Sequence, residues 1–206
     1  MTVKAGRSNF KLSCLPISDF PDISSAELDV SFNLPAAELR ALIDKTRFAM
    51  STEETRYYLN GIYLHAIDKG GVDMLCTVAT DGHRLAKVDM PLPDGAKDMP
   101  GIIVPRKTVS EIRKLVEDAA DVINISLSEN KIRFAFDHIV MTSKLIDGTF
   151  PDYQKVIPQG NNKVIELNPK EFSSAIDRVA TIMTADKSRA VKLAINGKSL
   201  VLSANS

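Results

Sequence analysis

The segment ELRALIDKTRFAM at residues 38–50 indicates how the chain is organised, because a related segment, EFSSAIDRVATIM, occurs at residues 171–183. The two segments share the first glutamate, an Ile-Asp-basic triplet and the final methionine at an offset of 133 residues. A second pair, SCLPISDFPD at residues 13–22 and SKLIDGTFPD at residues 143–152, matches at an offset of 130 residues. Repetition at a nearly constant offset predicts successive copies of one structural unit.

The offsets also predict where the units begin and end. One copy is complete at residues 27–157, and Arg56 and Arg189 keep its register in the following copy. Residues 1–26 then form the tail of an earlier copy, and residues 158–206 form the head of a later one. We therefore expect a chain that represents part of a longer array.

A weaker echo divides the complete copy into halves. LPAAELRAL at residues 34–42 and VPRKTVSEI at residues 104–112 both place a proline before apolar residues at helical spacing. Their offset of 70 residues is about half a copy. Each half is therefore expected to contain one helix and several strands.

Apolar residues recur at helical spacing in three segments, which predicts three amphipathic helices. The predicted apolar faces are Leu39, Leu42, Ile43 and Met50; Val109, Ile112, Leu115 and Val116; and Phe172, Ala175, Ile176, Val179 and Met183. Asn168, followed by Pro169 and Glu171, predicts the N-terminal cap of the third helix, with the glutamate reaching back.

Elsewhere the apolar residues alternate with a period of two, which predicts antiparallel strands. The alternating sets are Phe10, Leu12 and Cys14; Ile62, Leu64 and Ala66; Ile132, Phe134 and Phe136; and Val191, Leu193 and Ile195. The last set precedes an Asn-Gly turn signal. The predicted fold class is α+β, with two helices per module on one side of antiparallel sheets.

Composition limits the possible functions. The 206 residues are 44% hydrophobic, which is enough for a large core, and 26 basic residues balance 26 acidic ones. Global basicity therefore gives no sign of nucleic acid or of an anionic membrane. Cys14 and Cys76 fit buried thiols in a reducing compartment better than a disulfide framework. Neither a membrane span nor a signal peptide is expected, so the predicted location is the cytoplasm.

The densest polar cluster is TDGHR at residues 80–84, and it has two readings. Asp81, His83 and Arg84 suggest an acid, a base and a cation, as in a metal-dependent hydrolase or nuclease. The alternative is a tight turn that presents a surface, because Asp-Gly favours turns. The three histidines have no metal-ligand spacing among themselves or with the cysteines. We expect no metal and no cofactor.

Basic residues lie on the polar sides of the predicted helices, and this pattern also has two readings. They are Arg40, Lys45, Arg47, Arg106, Lys107, Arg113, Lys114, Lys170 and Arg178. They are either ordinary solvated charges or a surface for the phosphate backbone of nucleic acid. Acidic residues concentrate elsewhere, in DFPDISSAELD and MPLPDGAKDM, which favours sorting of charge between helices and loops.

Four motifs carry a family resemblance. RYYLNGIYL, TVATDGHRLA, IVPRK and SKLIDGTFPDYQKVIP occur in this order, and together they resemble the bacterial DNA polymerase III beta subunit, the sliding clamp family. The resemblance runs the full length of the chain. It implies the DNA-clamp fold, in which each module carries two helices and sheets on a pseudo-twofold plan. Two chains of such proteins close head to tail into a ring, and the helices line its hole around duplex DNA.

The resemblance also implies a function and a set of partners. Residues 1–26, 27–157 and 158–206 would be the end of module 1, all of module 2 and the start of module 3. The full-length parent would be a non-catalytic processivity factor. Its partners would be duplex DNA, the polymerase alpha subunit, the clamp loader and repair proteins that carry short linear motifs. No membrane is implied.

A peptide-binding pocket follows from the resemblance as well. By motif it would consist of Leu59, Thr80, Gly82, His83, Arg84, Leu85, Pro151, Lys155 and Val156. Its far wall and one half of the ring interface would come from third-module strands that fall beyond residue 206. The basic helix residues, Lys170 excepted, would face DNA.

Overall fold

The computed structural model describes most of the chain, namely residues 1–19, 27–118, 122–183, 190–197 and 199–204. It divides into two compact units, Met1–Pro151 and Asp152–Ser206. The first Phe-Pro-Asp copy, at residues 20–22, and Arg189 both lie outside the described residues. Those two parts of the repeat therefore stay predictions.

The first unit contains ten described strands and two described α-helices. The strands are β1 (Thr2–Ala5), β2 (Ser8–Lys11), β3 (Val30–Pro35), β4 (Gly61–Asp68), β5 (Asp73–Thr80), β6 (Leu85–Pro91), β7 (Ile102–Pro105), β8 (Val122–Leu127), β9 (Lys131–Phe136) and β10 (Ile139–Lys144). The helices are α1 (Ala36–Asp44) and α2 (Arg106–Leu115), and short 3₁₀ helices lie at Ile17–Asp19, Arg47–Ala49, Glu54–Leu59 and Val116–Asp118.

The two halves of this unit exchange their first strands. β4, β5 and β6 follow α1 and pair as antiparallel neighbours, and β7 from the second half completes their sheet in the order β6-β5-β4-β7. In return, β3 completes the sheet β10-β9-β8-β3. Each helix therefore follows a strand that belongs to the other half's sheet. The arrangement confirms the predicted α+β class and explains the echo at half a copy.

Proline marks the junction between strand and helix in both halves. Pro35 ends β3 and Pro105 ends β7, and each occupies the N-cap position of the helix that follows, with φ of −56° and −60°. Proline has no N–H for a strand ladder, so it is tolerated at the end of an edge strand. Both β3 and β7 are edge strands of their sheets. The repeated apolar-Pro pattern therefore corresponds to one structural junction used twice.

An apolar core lies between the two helices and the two sheets. Burial alternates along β3 and β9, as expected for strands with one face inward. The helices contribute Leu39, Leu42, Ile43, Val109 and Ile112, and the strands contribute Phe32, Leu34, Ile62, Leu64, Leu75, Val104, Ile123, Ile125, Ile132 and Phe134. A cavity of about 30 Å³ remains where helices and sheets meet. This packing fixes the helices against both sheets.

The predicted first helix is too long. Met50 was expected on its apolar face, but α1 ends at Asp44 and the chain tightens into the 3₁₀ helix Arg47–Ala49. The hydroxyl of Thr46 donates a hydrogen bond to the carbonyl oxygen of Leu42 at 2.6 Å, within the turn that ends the helix. Met50 is still buried, but it has an extended backbone.

The N-terminal strand prediction and one cysteine prediction need correction. β1 and β2 form a two-stranded hairpin in which all residues are exposed. β2 ends at Lys11, so Leu12 and Cys14 lie beyond the strand. Cys14 is exposed, contrary to the expected burial, whereas Cys76 is buried as expected. Cys14 follows a hairpin whose own strand residues are all exposed, so this part of the chain does not form a core that would bury the thiol.

The second unit contains the 3₁₀ helix Tyr153–Val156, the helix α3 (Pro169–Ala180) and the hairpin of β11 (Val191–Asn196) and β12 (Ser199–Ala204). Oδ1 of Asn168 accepts hydrogen bonds from the N–H groups of Lys170 and Glu171 at 3.0 and 3.3 Å, which confirms the predicted cap. Met183 lies beyond the end of α3, contrary to prediction. Within the described part of the chain, every helix is too short or too polar to cross a membrane.

Three rings stack on the outer face of the sheet β6-β5-β4-β7. The ring of Tyr63 lies 4.2 Å from that of His65 and 4.8 Å from that of Phe150, measured between centroids. Burial, with the Lys87 cation adding to it, lowers the pKa of His65 to about 4 from the ordinary 6.5. His65 is therefore neutral in the folded protein at neutral pH.

This histidine is expected to make the chain less stable at pH 5 than at pH 7. Below pH 6.5 the unfolded chain binds a proton at His65, whereas the folded chain does so only near pH 4, so unfolding is favoured as the pH falls between these values. The expected loss in the free energy of unfolding is about 2 kcal/mol, measured by urea titration at both pH values.

The control variant is His65→Phe, which keeps a ring in the stack but does not titrate. Its stability is expected to change less between pH 7 and pH 5 than that of the wild type. The carboxyls of Asp44, Asp81 and Asp89 have pKa values below 3.8 in the folded chain, so their contributions are lost only at lower pH. Equal pH dependence of the two proteins would contradict the assignment to His65.

Candidate functional site

The TDGHR segment forms the hairpin turn between β5 and β6. Thr80 and Leu85 are paired across the strands, and the hydroxyl of Thr80 donates to the carbonyl oxygen of Arg84 at 2.7 Å. Gly82 has a φ of +89°, which glycine adopts without strain. Its N–H donates to the Thr80 hydroxyl at 3.1 Å. The residues singled out in this segment are therefore together at one turn.

The Asp81 carboxylate is used to hold this turn. One of its oxygens accepts hydrogen bonds from the N–H groups of His83 and Arg84, each at 3.0 Å, and the other accepts from Nε of Arg84 at 3.1 Å. The backbone hydrogen bond from Arg84 and the other donors hold the pKa of Asp81 below its ordinary value. A carboxylate held in this way is a poor general base. The geometry favours the turn reading over hydrolysis.

The part of the chain that the structure describes contains no candidate metal centre. Within residues 1–19, 27–118, 122–183, 190–197 and 199–204, no three His, Cys, Asp or Glu side chains are grouped so that they would hold an ion. The nuclease reading of Asp81, His83 and Arg84 therefore finds no positive observation in this part of the chain.

An exposed aromatic and a second arginine stand beside the turn. The guanidinium of Arg84 lies 5.6 Å from the centroid of the Phe48 ring, a cation–π distance, and Phe48 is 56% exposed. A side chain at Gly82 would lie 2.7 Å from Nη1 of Arg56. Gly82 therefore allows both a left-handed backbone and the close approach of Arg56.

The two leucines predicted for the pocket differ in accessibility. Leu59 ends the 3₁₀ helix Glu54–Leu59 and is only 4% exposed. In this state its side chain therefore packs inside the protein and is hardly accessible to a ligand. Leu85, the first residue of β6, is half-buried. Leu85 is the one of the two that presents apolar surface beside the turn.

The chain leaves the first unit through residues 145–151, which we call the exit segment. Leu145 and Ile146 donate backbone hydrogen bonds to the carbonyl oxygens of Asn130 and Ile103, at 2.9 and 3.0 Å. Pro151 is the last residue of the unit and is exposed. Backbone hydrogen bonds therefore hold the exit segment on the first unit before the chain reaches Pro151, a predicted pocket residue.

The last two predicted pocket residues belong to the second unit. Nζ of Lys155 lies 2.9 Å from a carboxylate oxygen of Asp152, and both side chains are exposed. This contact lowers the pKa of Asp152 and raises that of Lys155. Val156 is 67% exposed. Within its own unit, Val156 is therefore an accessible apolar side chain next to a paired cation.

The basic residues of α2 and of the turn that follows α1 fall into two groups. Nε of Arg113 lies 2.8 and 2.9 Å from the two carboxylate oxygens of Asp44, and Arg47 lies 3.3 Å from the same carboxylate. The hydrogen bond from Arg113 holds the pKa of Asp44 below its usual value. This network joins the C-terminal ends of the two helices. Lys114 pairs with Glu111 at 3.1 Å.

The second group is not neutralised in this way. Arg106 and Lys107 begin α2, are exposed, and form no ion pair with any residue that the structure describes. The N-terminus of a helix carries partial positive charge, so cations there are unfavourable for stability. Lys45, at the end of α1, is exposed too. Among the described residues, Arg106 and Lys107 are unpaired cations at a position that does not stabilise the helix. This favours a binding role for them over simple solvation.

The remaining predicted basic residues are placed differently. Arg40 is half-buried on α1, and its Nε finds no hydrogen-bond acceptor among the described residues. Arg178 lies on α3 in the second unit, where Nη1 donates to the hydroxyl of Ser174 at 2.8 Å. Arg40 and Arg178 thus lie on helices, as predicted, but in separate units.

Two family models match consecutive parts of the chain. The model for the central domain of the DNA polymerase III beta subunit matches residues 33–152, and the model for its C-terminal domain matches residues 154–206. The chain belongs to the DNA polymerase III beta subunit family. The first match alone covers more than half of the sequence and includes α1, α2, the TDGHR turn and both four-stranded sheets except the first three residues of β3.

Two curated relatives of this clamp-family chain are both named beta sliding clamp. A beta sliding clamp of Caulobacter vibrioides is 53% identical over 195 residues, which are 95% of this chain and 52% of that relative. A beta sliding clamp of Rickettsia felis is 40% identical over 208 residues, covering 99% of this chain and 53% of that relative. The chain spans about half the length of the curated relatives it matches.

Solved structures agree with this membership. A beta sliding clamp from Caulobacter crescentus has a TM-score of 0.90 and 52% identity, covering 98% of this chain and 53% of that chain. A DNA polymerase III subunit beta from Bartonella birtlesii, solved bound to griselimycin, has a TM-score of 0.88 and 52% identity, covering 98% and 54%. The fold is therefore that of the sliding clamps.

Two residues beside the turn of this clamp-family chain, Phe48 and Arg56, have no sequence pattern that assigns them to the site. The helical spacing at residues 38–50 predicts Phe48 as part of a helix, whereas its exposed ring lies beside the guanidinium of Arg84. Arg56 was noted only for the repeat register, although it lies beside Gly82. The Asp-Gly pair indicates the turn, but no local pattern indicates that Arg56, which is distant in sequence, lies beside Gly82. The contact becomes visible only when the 3₁₀ helix and the β5–β6 turn are placed together.

Proposed function

We propose that this chain is the middle part of a processivity factor, with residues 27–157 as its complete central module. Residues 1–26 are then the end of the first module, and residues 158–206 are the start of the third. The observation that carries the proposal is the match of the central-domain model to residues 33–152, on a fold shared with solved clamps. The full-length parent forms a ring and tethers the replicative polymerase to DNA.

The proposed DNA surface is the basic side of the helices. Arg106 and Lys107 are exposed cations without described ion-pair partners at the start of α2, which is the chemistry that phosphate recognition needs. Contacts to phosphates carry no sequence information, so a ring that uses them is able to slide. Lys45, Arg40 and Arg178 are proposed to add positive charge. We propose that Arg47, Arg113 and Lys114 contribute less to DNA binding, because each of them is already paired with a carboxylate.

The proposed partner site is the surface around the β5–β6 turn. Its members in the first unit are Leu59, Thr80, Gly82, His83, Arg84, Leu85 and Pro151. By the family resemblance, Lys155 and Val156 of the second unit are proposed to contribute to the same peptide site. An apolar side chain such as Leu85 next to a few oriented polar groups suits an anchored peptide side chain. The ligands are short linear motifs of the polymerase alpha subunit, the clamp loader and repair proteins. Binding there keeps the polymerase at high effective concentration on the template.

We further propose that the parent performs no covalent chemistry, needs no cofactor or metal, and acts in the cytoplasm. Asp81 supports this view, because its carboxylate is engaged by the turn that it holds. Purified parent with Mg²⁺ is expected to leave duplex and single-stranded DNA intact. Metal-dependent cleavage that disappears in His83→Ala would establish the nuclease alternative instead.

The processivity proposal is tested with the full-length parent that contains this chain. Primer extension by the replicative polymerase and clamp loader on a singly primed circular template is expected to give long products only when the parent is present. A trap for free polymerase restricts each molecule to one binding event. Product lengths that do not depend on the parent would overturn the proposal.

The DNA surface makes a separate prediction. In the full-length parent, the double variant Arg106→Gln and Lys107→Gln is expected to reduce the slope of log affinity against log salt by about 2 per chain, because each lost phosphate contact removes about 0.9. The measurement is fluorescence anisotropy with a short duplex at several salt concentrations.

The matched control removes two cations elsewhere on the same unit. Lys69 and Lys97 are exposed and pair with the carboxylates of Asp89 and Asp73 at 3.3 and 3.7 Å. The double variant Lys69→Gln and Lys97→Gln is expected to keep the salt slope of the wild type. If both double variants shift the slope equally, net charge rather than the α2 surface controls DNA association.

A further inference from the structure

The exit segment is held against the first unit at four successive points. Two are the backbone hydrogen bonds of Leu145 and Ile146, the second of which joins the segment to β7 at Ile103. At the third, a side chain placed on Gly148 would lie 3.2 Å from Cβ of Tyr58, so the backbone passes close over the 3₁₀ helix Glu54–Leu59. The fourth is the ring of Phe150, immediately before Pro151.

The last of these contacts depends on Tyr63. The rings of Tyr63 and Phe150 are nearly parallel, with an interplanar angle of 5° and a centroid distance of 4.8 Å, and Phe150 is buried. Tyr63 is itself fixed by the central strand β4 and by stacking on His65. A Cβ atom at Gly101 would clash with the hydroxyl oxygen of Tyr63, so Gly101 leaves the space that this hydroxyl occupies.

We propose that Tyr63 is a positioning residue for the peptide pocket, acting through Phe150 on Pro151. This inference rests on the proposed function of that pocket. Tyr63 anchors the ring one residue before Pro151, and the exit segment otherwise ends in an exposed proline with no further described hydrogen bond in its unit. Loss of the stack leaves Pro151 free to occupy several positions, and a peptide then has to select the competent one.

The experiment uses the full-length parent and a fluorescein-labelled peptide with the clamp-binding motif of the polymerase alpha subunit. Tyr63→Leu is expected to weaken peptide binding about tenfold, the scale of a lost aromatic pair. Tyr63→Phe keeps the ring and is expected to stay within about twofold of the wild type. Phe150→Leu removes the other ring of the pair without changing a strand and is expected to resemble Tyr63→Leu.

A double-mutant cycle separates positioning from a general loss of structure. If Tyr63 acts through Pro151, Tyr63→Leu is expected to weaken binding much less in a Pro151→Ala background than in the wild type. The salt slope of DNA association is expected to be unchanged in Tyr63→Leu, because the α2 surface is not altered. Equal weakening in both backgrounds, or unchanged affinity in both Tyr63→Leu and Phe150→Leu, would overturn the inference.

Leu85→Asp distinguishes failure of this inference from failure of the pocket. If Leu85→Asp weakens peptide binding but the ring variants do not, the pocket stands and the positioning role of Tyr63 is wrong. If Leu85→Asp has no effect, the pocket assignment itself is wrong. Should Tyr63→Leu fail to fold, Phe150→Leu and its own cycle with Pro151→Ala decide the outcome.

Discussion

Replacing Ile112 with alanine is expected to lower the free energy of unfolding of the 206-residue chain by about 3 kcal/mol. Ile112 is 1% exposed on the inner face of α2 and lines the small cavity where the helix meets both sheets, next to Ile125. Truncation removes buried apolar surface and enlarges a void that the two sheets prevent from collapsing. Urea titration followed by circular dichroism at pH 7 measures the change.

The control for Ile112→Ala lies on the same helix. Lys107 is exposed on α2, and Lys107→Ala is expected to change the free energy of unfolding by less than about 0.5 kcal/mol. If Ile112→Ala costs no more than this control, α2 does not pack against the sheets as described. The contact between α2 and its core would then have to be reassigned.

The three α-helices and the strands β4, β9 and β11 of this chain follow from local patterns. The spacing of Leu39, Leu42 and Ile43 and the cap at Asn168 are properties of neighbouring residues, so the sequence suffices to predict them. The same holds for β9, whose alternating Ile132 and Phe134 face the core. The half-copy echo also correctly predicted two similar halves, because each half repeats one strand–proline–helix junction.

The exchange of β3 and β7 between the two sheets was not predictable in this way. Neither strand differs in its local pattern from one that pairs within its own half, and the choice depends on contacts distant in sequence. The end of α1 was missed for a related reason. Thr46 is not a strong helix breaker, and the turn is marked by hydrogen bonds of its hydroxyl to Leu42 and of its N–H to Ile43, which the sequence pattern does not show.

In the candidate site too, some features follow from local sequence patterns and others depend on contacts between distant residues. The β5–β6 turn was predictable, because Asp81 and Gly82 are strong local turn residues. Whether Asp81 was catalytic or structural was open in the sequence, and the donors around its carboxylate now favour the structural role. The Tyr63–Phe150 stack joins residues 87 positions apart in the chain, so no local pattern indicates it.

Replacing Leu85 with aspartate in the full-length parent is expected to weaken binding of the labelled clamp-binding peptide about 100-fold, or ~2.7 kcal/mol. Leu85 is half-buried beside the turn, so its side chain is accessible to a ligand. A carboxylate there would lose hydration when the peptide covers it. Among the described residues, the structure assigns no cation to pair with a carboxylate at this position. Fluorescence anisotropy of the labelled peptide measures the affinity.

Two control variants test whether the effect of Leu85→Asp is specific to the peptide site. Val122 is an exposed valine on the other sheet, and Val122→Asp is expected to leave peptide affinity within about twofold of the wild type, because it adds the same charge away from the turn. Leu59→Ala is expected to lower both affinity and thermal stability, since Leu59 is buried in the unit. Leu85→Asp should therefore separate binding from folding better than Leu59→Ala. Equal affinities of Leu85→Asp and Val122→Asp would exclude Leu85 from the peptide site.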